Sequence, residues 1–479
     1  MSIRSANQSL RNKNRIFSRI LVQGMWTTFL FFLVLLGIAF YRPIEWRFEG
    51  FLLVDHLTLV IAAAATLFGS IVLSYSARYL AGSAKLPRFL LNCTLFILSV
   101  LLVVISDHIA LFTFGWLIMG LLMAELIGGY THYLEGKASR RNARNYFLLS
   151  TLLLAGGLTW LAAETGIWHI SGIVSADLPA GSTVVRLSML LVIVATVIQA
   201  ALYPFQRWLM SSMTAPTPAS ALMHAGFVNA GAILLARTAP LIYLADLLWI
   251  LVLAGGIGAL VGKFSKFVQA NIKQKLACST TAQMGFMLLQ CGLGFFSAAV
   301  AHLILHGFYK AFLFLSSGDN VARESPTSGD EDRWKNWYLP ITLVSGLAGG
   351  ILFAYATGKG LALNSGFFLT FVIVLTVIHG SQDILRHSSL PAVTRLIALP
   401  LVIIPALLVY AGMFNGVSQL LTTVPMAEVP VAIAWDQITV AVLYLATFLV
   451  IELKLYRKSR RLYVYLLNIS QPKSNTILQ

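Results

Sequence analysis

Three ionisable residues recur at four-residue spacing within one apolar segment, AAVAHLILHGFYKAFLFLSSG. They are His302, His306 and Lys310, and on an α-helix they share one face at about 6 Å per step. Histidine gains and loses a proton near neutral pH, so this stripe predicts a path along which protons move through intervening water. The alternative is that each side chain hydrogen-bonds a neighbouring carbonyl and only locks helices together.

Other ionisable residues in apolar segments are isolated, and each has two interpretations because a charge in hydrocarbon is costly. His224 is either a proton carrier or a packed, hydrogen-bonded residue. Glu125 is either the carboxylate partner of a buried cation or a group at the cytoplasmic mouth, near His132. Lys359 and His379 are either exit groups or side chains that extend to the membrane interface.

The composition identifies an integral membrane protein. Of 479 residues, 58% are hydrophobic and 11% charged, whereas a soluble chain of this size needs about a quarter of its residues charged. Disordered, collagen-like and disulfide-rich secreted proteins are excluded. Cys93, Cys278 and Cys291 are isolated in apolar stretches, so no zinc or iron–sulfur site and no cofactor is predicted in this chain. No catalytic residues are predicted, and any metal chemistry is assigned to a partner.

The apolar segments predict an all-α polytopic protein with about 14 (13–14) transmembrane helices in one bundle. Residues 1–19 are predicted to form a cytoplasmic N-terminal segment, residues 20–455 the transmembrane bundle, and residues 456–479 a basic cytoplasmic tail. The predicted spans lie near 20–41, 52–77, 89–106, 109–130, 146–163, 184–206, 217–236, 242–262, 277–295, 297–318, 338–357, 366–385, 396–415 and 437–455.

The net charge of +16 comes from basic clusters that fall in alternate loops. Cytoplasmic loops of membrane proteins carry an excess of Lys and Arg, so the pattern places both termini in the cytoplasm. In such a protein the basic loops face anionic lipid headgroups, and binding to nucleic acid is not expected. The predicted location is the bacterial inner membrane.

Two segments contain residues that break helices. Pro204, Pro216 and Pro218 interrupt one segment, and six glycines between Gly346 and Gly366 soften another about 150 residues later. A matching pair of interrupted spans indicates inverted repeats with broken helices that line an ion path. For the glycine segment, the alternative is that glycine only allows helices to pack closely.

Two motifs carry a family resemblance. YPFQRWLMSSMTAPTPASALMHAGFVNAGAILLAR, from Tyr203, and NIKQKLACSTTAQMGFMLLQCGLG, from Asn271, resemble signatures of the antiporter-like proton-translocating subunits of respiratory complex I and the Mrp antiporters. The resemblance covers residues of about 51 to 320. Within this superfamily the second motif and the histidine stripe are most similar to the DabB family, the membrane subunits of two-component inorganic carbon uptake systems.

The sequence departs from the complex I subunits where those carry their charged switch. Leu117 stands in place of the glutamate that follows GW, and Gln199 in place of a lysine before the proline of the signature. Asn229 stands where some members have a second lysine. The residues that match the family are His224, His302, His306 and Lys310. Energy coupling is therefore expected to run through the histidine stripe and whatever Glu125 can contact.

The resemblance implies an antiporter-like fold of two inverted five-helix repeats around broken helices. It also implies movement of protons or sodium ions, coupled to a large zinc-bearing cytoplasmic partner, resembling the DabA subunit and β-carbonic anhydrases, that hydrates CO₂ to bicarbonate. The alternatives are a subunit of a cation/proton antiporter or of an NADH–quinone oxidoreductase-like pump, and a degenerate structural scaffold.

Overall fold

A computed structural model of the chain describes residues 3–42, 44–130, 133–317, 338–386, 391–452 and 459–476. Most of these residues are helical, and the strands among them form one antiparallel hairpin of β1 (Trp46–Phe48) and β2 (Leu52–Val54). The predicted all-α fold is confirmed. His132 and the two ends of the predicted tail, residues 456–458 and 477–479, lie outside the described residues.

The helices are numbered in chain order. Their bounds are α1 (Ile3–Tyr41), α2 (His56–Tyr79), α3 (Leu86–Ile105), α4 (Ile109–Gly128), α5 (Leu134–Thr165), α6 (Ile170–Ser175), α7 (Thr183–Gln199), α8 (Arg207–Ser211), α9 (Thr217–Ala225), α10 (Ala230–Arg237), α11 (Ala239–Leu244), α12 (Leu248–Val268), α13 (Ile272–Gly292), α14 (Phe296–Leu315), α15 (Tyr338–Thr357), α16 (Ser365–Arg386), α17 (Ala392–Leu420), α18 (Trp435–Glu452) and α19 (Arg460–Ile469).

Each of the fourteen predicted spans overlaps a helix of the structure. Eleven helical segments in the described part of the chain are long and apolar enough to cross a membrane, so this is a multi-pass membrane protein. Two further apolar helices, Thr183–Gln199 and Trp435–Ile451, are shorter, and α13 carries more polar residues. The count of fourteen spans therefore stays a prediction.

The connections between helices gather at the two ends of the bundle. One end, which we call the hairpin face, holds the β1–β2 hairpin, and there Phe51 O accepts hydrogen bonds from Asp107 N and His108 N at 2.9 and 3.2 Å. The connection after α17 belongs to the same end, because His56 Nδ1 lies 2.7 Å from Thr423 Oγ1.

The opposite end, which we call the tail face, holds the C-terminal segment. Gln206 Nε2 donates to Ile469 O at 3.1 Å, and Gln269 Nε2 donates to Ser470 Oγ at 2.6 Å. The described part of the predicted tail thus packs against the loops that follow α7 and α12. Its position ties together three parts of the chain that are far apart in sequence.

The two faces differ in charge. The tail face is rich in basic residues, which include Arg78, Lys85, Arg88, Lys137, Arg140, Arg207, Lys266, Lys273, Lys275, Arg460, Arg461 and Lys473. The hairpin face carries most of the acidic ones, which include Glu45, Glu49, Asp55, Asp107, Glu164, Asp177, Asp246, Glu428 and Asp436. This asymmetry agrees with the predicted cytoplasmic position of the tail face.

One predicted span is interrupted where Pro204 lies. Helix α7 ends at Gln199, residues 200–206 are not helical, and the short helix α8 follows. Pro216 and Pro218 differ from the expectation, since Pro216 caps α9 and Pro218 lies in its first turn, where proline is well tolerated. A second interruption, at Gly226 between α9 and α10, was not predicted.

Within α15 the predicted interruption in the glycine segment is wrong, whereas Gly358 and Gly360 have positive φ in the non-helical connection between α15 and α16. Helix α15 is continuous, and Gly346, Gly349 and Gly350 lie inside it. A Cβ on Gly346 would meet Ile378 and one on Gly350 would meet Val374, both on α16. These glycines therefore allow two helices to approach closely, which was the alternative interpretation.

Helices α12 and α13 pack closely against each other. A Cβ on Gly255 would lie 2.4 Å from Leu289 N, and one on Gly285 would lie 2.2 Å from Ala259 N. In hydrocarbon, association of helices depends on van der Waals packing, which small residues improve by letting backbones approach. Glycine at these positions therefore sets the distance between the two helices.

A buried ion pair joins the start of the second predicted span to the end of the seventh. Arg237, the last residue of α10, lies 2.5 Å from a carboxylate oxygen of Asp55, the N-cap of α2, and also donates to Val104 O at 3.0 Å. Burial raises the pKa of Asp55, but the charge of Arg237 and hydrogen bonds from Thr58 outweigh this effect and hold the pKa below its ordinary value.

The α12–α13 contact predicts a strong effect of a single methyl group. Gly285→Ala should lower the thermal unfolding midpoint in detergent, because overpacking against backbone costs about 1–3 kcal/mol. Gly412→Ala on α17 is the matched control, since a Cβ there meets nothing within 4 Å. Equal midpoints for the two variants would contradict the contact.

The ion pair predicts a pH-dependent loss of stability. Asp55→Asn leaves Arg237 buried without its carboxylate, and removing one partner of such a pair costs about 3–5 kcal/mol. A lowered folded-state pKa stabilises the fold at neutral pH, and this contribution is lost as the pH falls through that pKa. The difference in unfolding midpoint between the wild type and the variant should therefore be large at neutral pH and shrink on acidification. A difference that is independent of pH would contradict the assignment.

Candidate functional site

The stripe on α14 faces the interior of the bundle. His302, His306 and Lys310 are all buried, and the two imidazole rings are nearly parallel with centroids 6.0 Å apart. Lys310 Nζ donates a hydrogen bond of 2.9 Å to Leu276 O on α13. The spacing read from the sequence therefore brings three ionisable groups to one buried helix face, as predicted.

His224 on α9 joins this stripe from the neighbouring helix. Its ring stacks on Phe314 of α14 at a centroid distance of 4.3 Å, and it lies close enough to His306 and Lys310 for their charges to interact. Its Nδ1 is 3.0 Å from Thr280 Oγ1 on α13. His224 is therefore part of the same site and not an isolated packing residue.

Hydrogen bonding determines which nitrogen of neutral His224 carries the proton. The Thr280 hydroxyl donates to Leu276 O at 3.0 Å, so its oxygen accepts from His224 Nδ1–H. The same carbonyl accepts from Lys310 Nζ. Leu276 O and Thr280 thus connect Lys310 with His224. In this tautomer His224 Nε2 carries a lone pair, and it is buried without a hydrogen-bond partner in the described structure.

Further unpaired polar atoms lie around α9 and α10. Across the described residues, thirteen buried side-chain polar atoms have no hydrogen-bond partner, and eight of them lie on α7, α14 and the segment from α9 to α10. They belong to Ser188, Thr196, Gln199, Ser220, His224, Asn229 and His306. Because buried polar atoms need partners, water molecules are the natural ones here.

Gln199 lies at the last turn of α7, where the helix is interrupted. Its side chain is fully buried, and neither its oxygen nor its nitrogen is hydrogen-bonded within the described structure. One turn earlier, Thr196 contacts α10, since a Cβ on Gly231 would lie 2.6 Å from its methyl group. Helix α10 contacts both α7 and α14, so Gln199 lies on a helix that is one neighbour away from the stripe. We call Gln199, Asn229, His224, His306, Lys310 and His302 together the polar row.

Glu125 does not lie in the polar row. It is near the C-terminal end of α4 at the tail face, where its carboxylate is 2.6 Å from Arg140 and 3.0 Å from Arg88. Its side chain is 13% exposed and that of Arg88 is 69% exposed. This is the position at the mouth that the second interpretation of Glu125 describes.

Lys359 lies at the hairpin face, in an ion pair that sequence reasoning missed. Its Nζ is 2.6 Å from Glu428 Oε2, and Glu428 also accepts hydrogen bonds from Ser297 and Ser418. Burial raises the pKa of Glu428, but the bonds from Lys359 and the two serines lower it more, so its pKa lies below the ordinary value. In the sequence, the only indication of this ion pair was Glu428, a single acidic residue in an apolar loop.

His379 lies elsewhere, on α16, 3.9 Å from Asp383. It lines a cavity of about 650 Å³ that also contacts His302. The ion pair of Lys359 borders a separate cavity of about 270 Å³ at the hairpin face. The structure thus brings together His224, His302, His306 and Lys310, but places Glu125, Lys359 and His379 at three different sites around them.

Comparison with known proteins agrees with the resemblance. The chain is 36% identical to a probable inorganic carbon transporter subunit DabB of Bacillus anthracis over 320 residues, which is 66% of this chain and 62% of that protein. It is 32% identical to NADH-quinone oxidoreductase subunit L of Pseudomonas aeruginosa over 63% of this chain and 50% of that protein. The chain therefore spans less than two thirds of the length of these curated relatives.

Two solved structures share the fold. A chain of the Mrp complex from Dietzia sp. DQ12-45-1b aligns with a TM-score of 0.56 and 21% identity over 98% of this chain and 52% of that one. A chain of respiratory complex I from Thermus thermophilus aligns with a TM-score of 0.55 and 18% identity over 95% and 97%. The NADH:quinone oxidoreductase/Mrp antiporter transmembrane family matches residues 106–385. This match covers more than half of the chain, and the protein belongs to that family.

Proposed function

We propose that this chain is the cation-translocating membrane subunit of an inorganic carbon uptake system, and that the cation is a proton. The observation that carries the proposal is the polar row, in which His224 and His306 each present a buried ring nitrogen without a hydrogen-bond partner in the described structure. An imidazole nitrogen with a lone pair can accept a proton and pass it on. In this proposal the chain moves ions and is not an enzyme.

The geometry supports proton transfer along α14. The rings of His302 and His306 are 6.0 Å apart, a distance that one water molecule can bridge. Lys310 lies one turn beyond His306 on the same helix face, and the hydrogen bonds of Lys310 and Thr280 to Leu276 O hold Lys310 close to His224. Two positive charges this close in hydrocarbon repel each other, so a proton that enters the row favours release of another.

The ends of the path are assigned to groups at the two faces. Lys310 is the member of the α14 stripe nearest the tail face, where we propose that Glu125 provides a carboxylate at the entrance. Ser297, which hydrogen-bonds Glu428, lies five residues before His302 on α14, about 7.5 Å along the helix. We therefore assign Lys359 and Glu428 to the hairpin-face end, and His379 to the wall of the cavity beside His302.

Two observations support a partner subunit: the names of the related proteins and the charge of the tail face. The proteins named inorganic carbon transporter subunit DabB support a second, DabA-like subunit, which we propose to carry the zinc and to hydrate CO₂ to bicarbonate. The basic tail face, proposed to be cytoplasmic in the inner membrane, suits an acidic surface of that subunit. Ion flow through the polar row would then supply the energy for accumulation.

A second candidate function is that of a cation/proton antiporter or redox-pump subunit. The identity with NADH-quinone oxidoreductase subunit L and the fold shared with an Mrp chain favour it. Leu117 and Gln199 weigh against it, because neither residue carries the charge of the complex I switch. Uptake that depends on NADH oxidation would favour this second function.

Uptake of labelled inorganic carbon tests the proposal. Cells that express the chain with its partner should accumulate label, and a protonophore should abolish accumulation. His306→Ala should also abolish it while leaving the amount of assembled complex unchanged, because the variant leaves a gap of about 12 Å between His302 and Lys310. Normal uptake by this variant would remove the polar row from the mechanism.

Two comparison variants separate proton transfer from packing. His169→Ala removes a histidine at the hairpin face, away from the row, and should leave uptake intact. Gln199→Leu should be much milder than His306→Ala, since an amide orients water but does not hold an extra proton. If both row variants lose uptake equally, the amide is an obligatory member of the water chain.

Glu125→Gln should reduce uptake less than His306→Ala does. Its carboxylate is held at the tail face by two arginines that remain partly exposed, and such pairs contribute under about 1 kcal/mol to stability. Glu135→Gln, at the start of α5, is the matched control and should have no effect. A loss for Glu125→Gln as complete as that for His306→Ala would instead place this carboxylate within the obligatory path.

A further inference from the structure

Oxygen atoms from three parts of the chain hold a cation at the hairpin face. Glu428 Oε2 lies 2.6 Å from the ammonium of Lys359, and Glu428 Oε1 accepts hydrogen bonds from Ser297 on α14 and Ser418 on α17. Each serine hydroxyl donates its one hydrogen to the carboxylate, so its own lone pairs stay available. A carboxylate and two hydroxyls are thereby gathered in one place.

The surroundings of the Lys359 ammonium suit a cation with a single charge. The rings of Phe295 and Phe414 have their centroids 5.3 and 5.8 Å from Nζ, and the faces of aromatic rings attract cations. The side chains of Lys359 and Glu428 are only 18% and 22% exposed. One partly buried carboxylate balances one positive charge, so the place is matched to a monovalent ion.

The cavity of about 270 Å³ beside this ion pair connects it with the surface of the hairpin face. Lys359 and Glu428 line the cavity together with Asn415, Gln419 and Thr422, which are exposed. Polar side chains provide the hydrogen-bond partners that water needs in such a space. A hydrated ion outside the membrane therefore has a route to the Glu428 carboxylate.

The backbone around Lys359 places its ammonium at the carboxylate. Lys359 lies in the connection between α15 and α16, and its neighbours Gly358 and Gly360 have φ angles of +68° and +85°, which residues with a side chain rarely adopt. A Cβ on Gly360 would also lie 2.1 Å from Thr370 Oγ1. Because the ammonium is attached to this turn, it competes with free ions at a high effective concentration.

We propose that Glu428, Ser297 and Ser418 form a binding site for a monovalent metal cation, and that the tethered ammonium of Lys359 fills this site and keeps sodium ions out. Small hard cations bind through oxygen atoms, which the carboxylate and the two hydroxyls provide. The consequence for ion selectivity rests on the proposed function, in which this pair lies at the hairpin-face end of the proton path. Lys359 then favours protons over sodium ions at that end.

Equilibrium binding of radioactive sodium to the purified full chain with its partner tests the site, with choline chloride keeping the ionic strength constant. Lys359→Met removes the ammonium but keeps a long side chain, so this variant should bind sodium at least about tenfold more tightly than the wild type. Adding Glu428→Gln to Lys359→Met should abolish the gain, because the charged ligand is lost. Sodium binding that survives this second change would contradict the assignment of Glu428 as a ligand.

Matched variants separate the site from general effects. Lys137→Met makes the same change at an exposed position of α5 on the tail face and should bind sodium as the wild type does. Lys359→Gln keeps a hydrogen-bond donor for Glu428 and should also gain sodium binding. Sodium affinities of Lys359→Met and Lys359→Gln equal to that of the wild type, or an equal gain in Lys137→Met, would overturn the site. Because sodium binding is measured without uptake, normal uptake by His306→Ala would contradict the proposed function and leave this result unchanged.

Discussion

Hydrocarbon offers no hydrogen-bond partner to a polar side chain, and the arrangement of helices around α9 and α10 follows from this constraint. The polar side chains of the polar row would cost too much free energy if they faced lipid. They are therefore stable only where other helices enclose them. Helices α2, α4, α7, α13 and α14 supply that enclosure with apolar side chains on their outer surfaces. The interruption at Gly226 frees backbone beside the row, where Asn229 donates to Ala225 O at 2.7 Å.

The same constraint separates the polar row from the two charged ends. Ion pairs such as Lys359–Glu428 and Arg140–Glu125 lie where helices end and backbone groups and water are within reach. Within the described spans, the cation of Lys310 is satisfied by a backbone carbonyl and not by a carboxylate. A neutral partner binds the cation less tightly than a carboxylate would, which suits the proton transfer that we propose for this residue.

Periodicity in the sequence was sufficient to predict the helices and the stripe of His302, His306 and Lys310, because both depend on residues close together in the chain. It did not reveal the partner of Lys359, which is 69 residues away in a loop without regular structure. The depth of Glu125 was also open, since an error of one turn in a helix end moves a side chain from the interior to the mouth.

The glycines illustrate a different limit. Gly346 and Gly350 would look the same in the sequence whether they bend a helix or receive the side chains of a neighbour, and only the positions of Ile378 and Val374 decide between the two. Proline is less ambiguous within a span because its ring removes a hydrogen-bond donor. Even so, Pro218 lies in the first turn of a helix and does not interrupt one. Only the observed start of α9 shows this.

The pair between Asp55 and Arg237 has a consequence for biosynthesis. The two residues are 182 positions apart, and membrane helices enter the bilayer in the order of their synthesis. Asp55 therefore lies at the hairpin face without its cation until α10 has been inserted. Insertion of α10 then places Arg237 at the same face. A ribosome stall before Arg237 leaves the carboxylate unpaired and the enclosure of the polar row unfinished. Closure of this one contact marks the moment at which the first half of the nascent protein is complete.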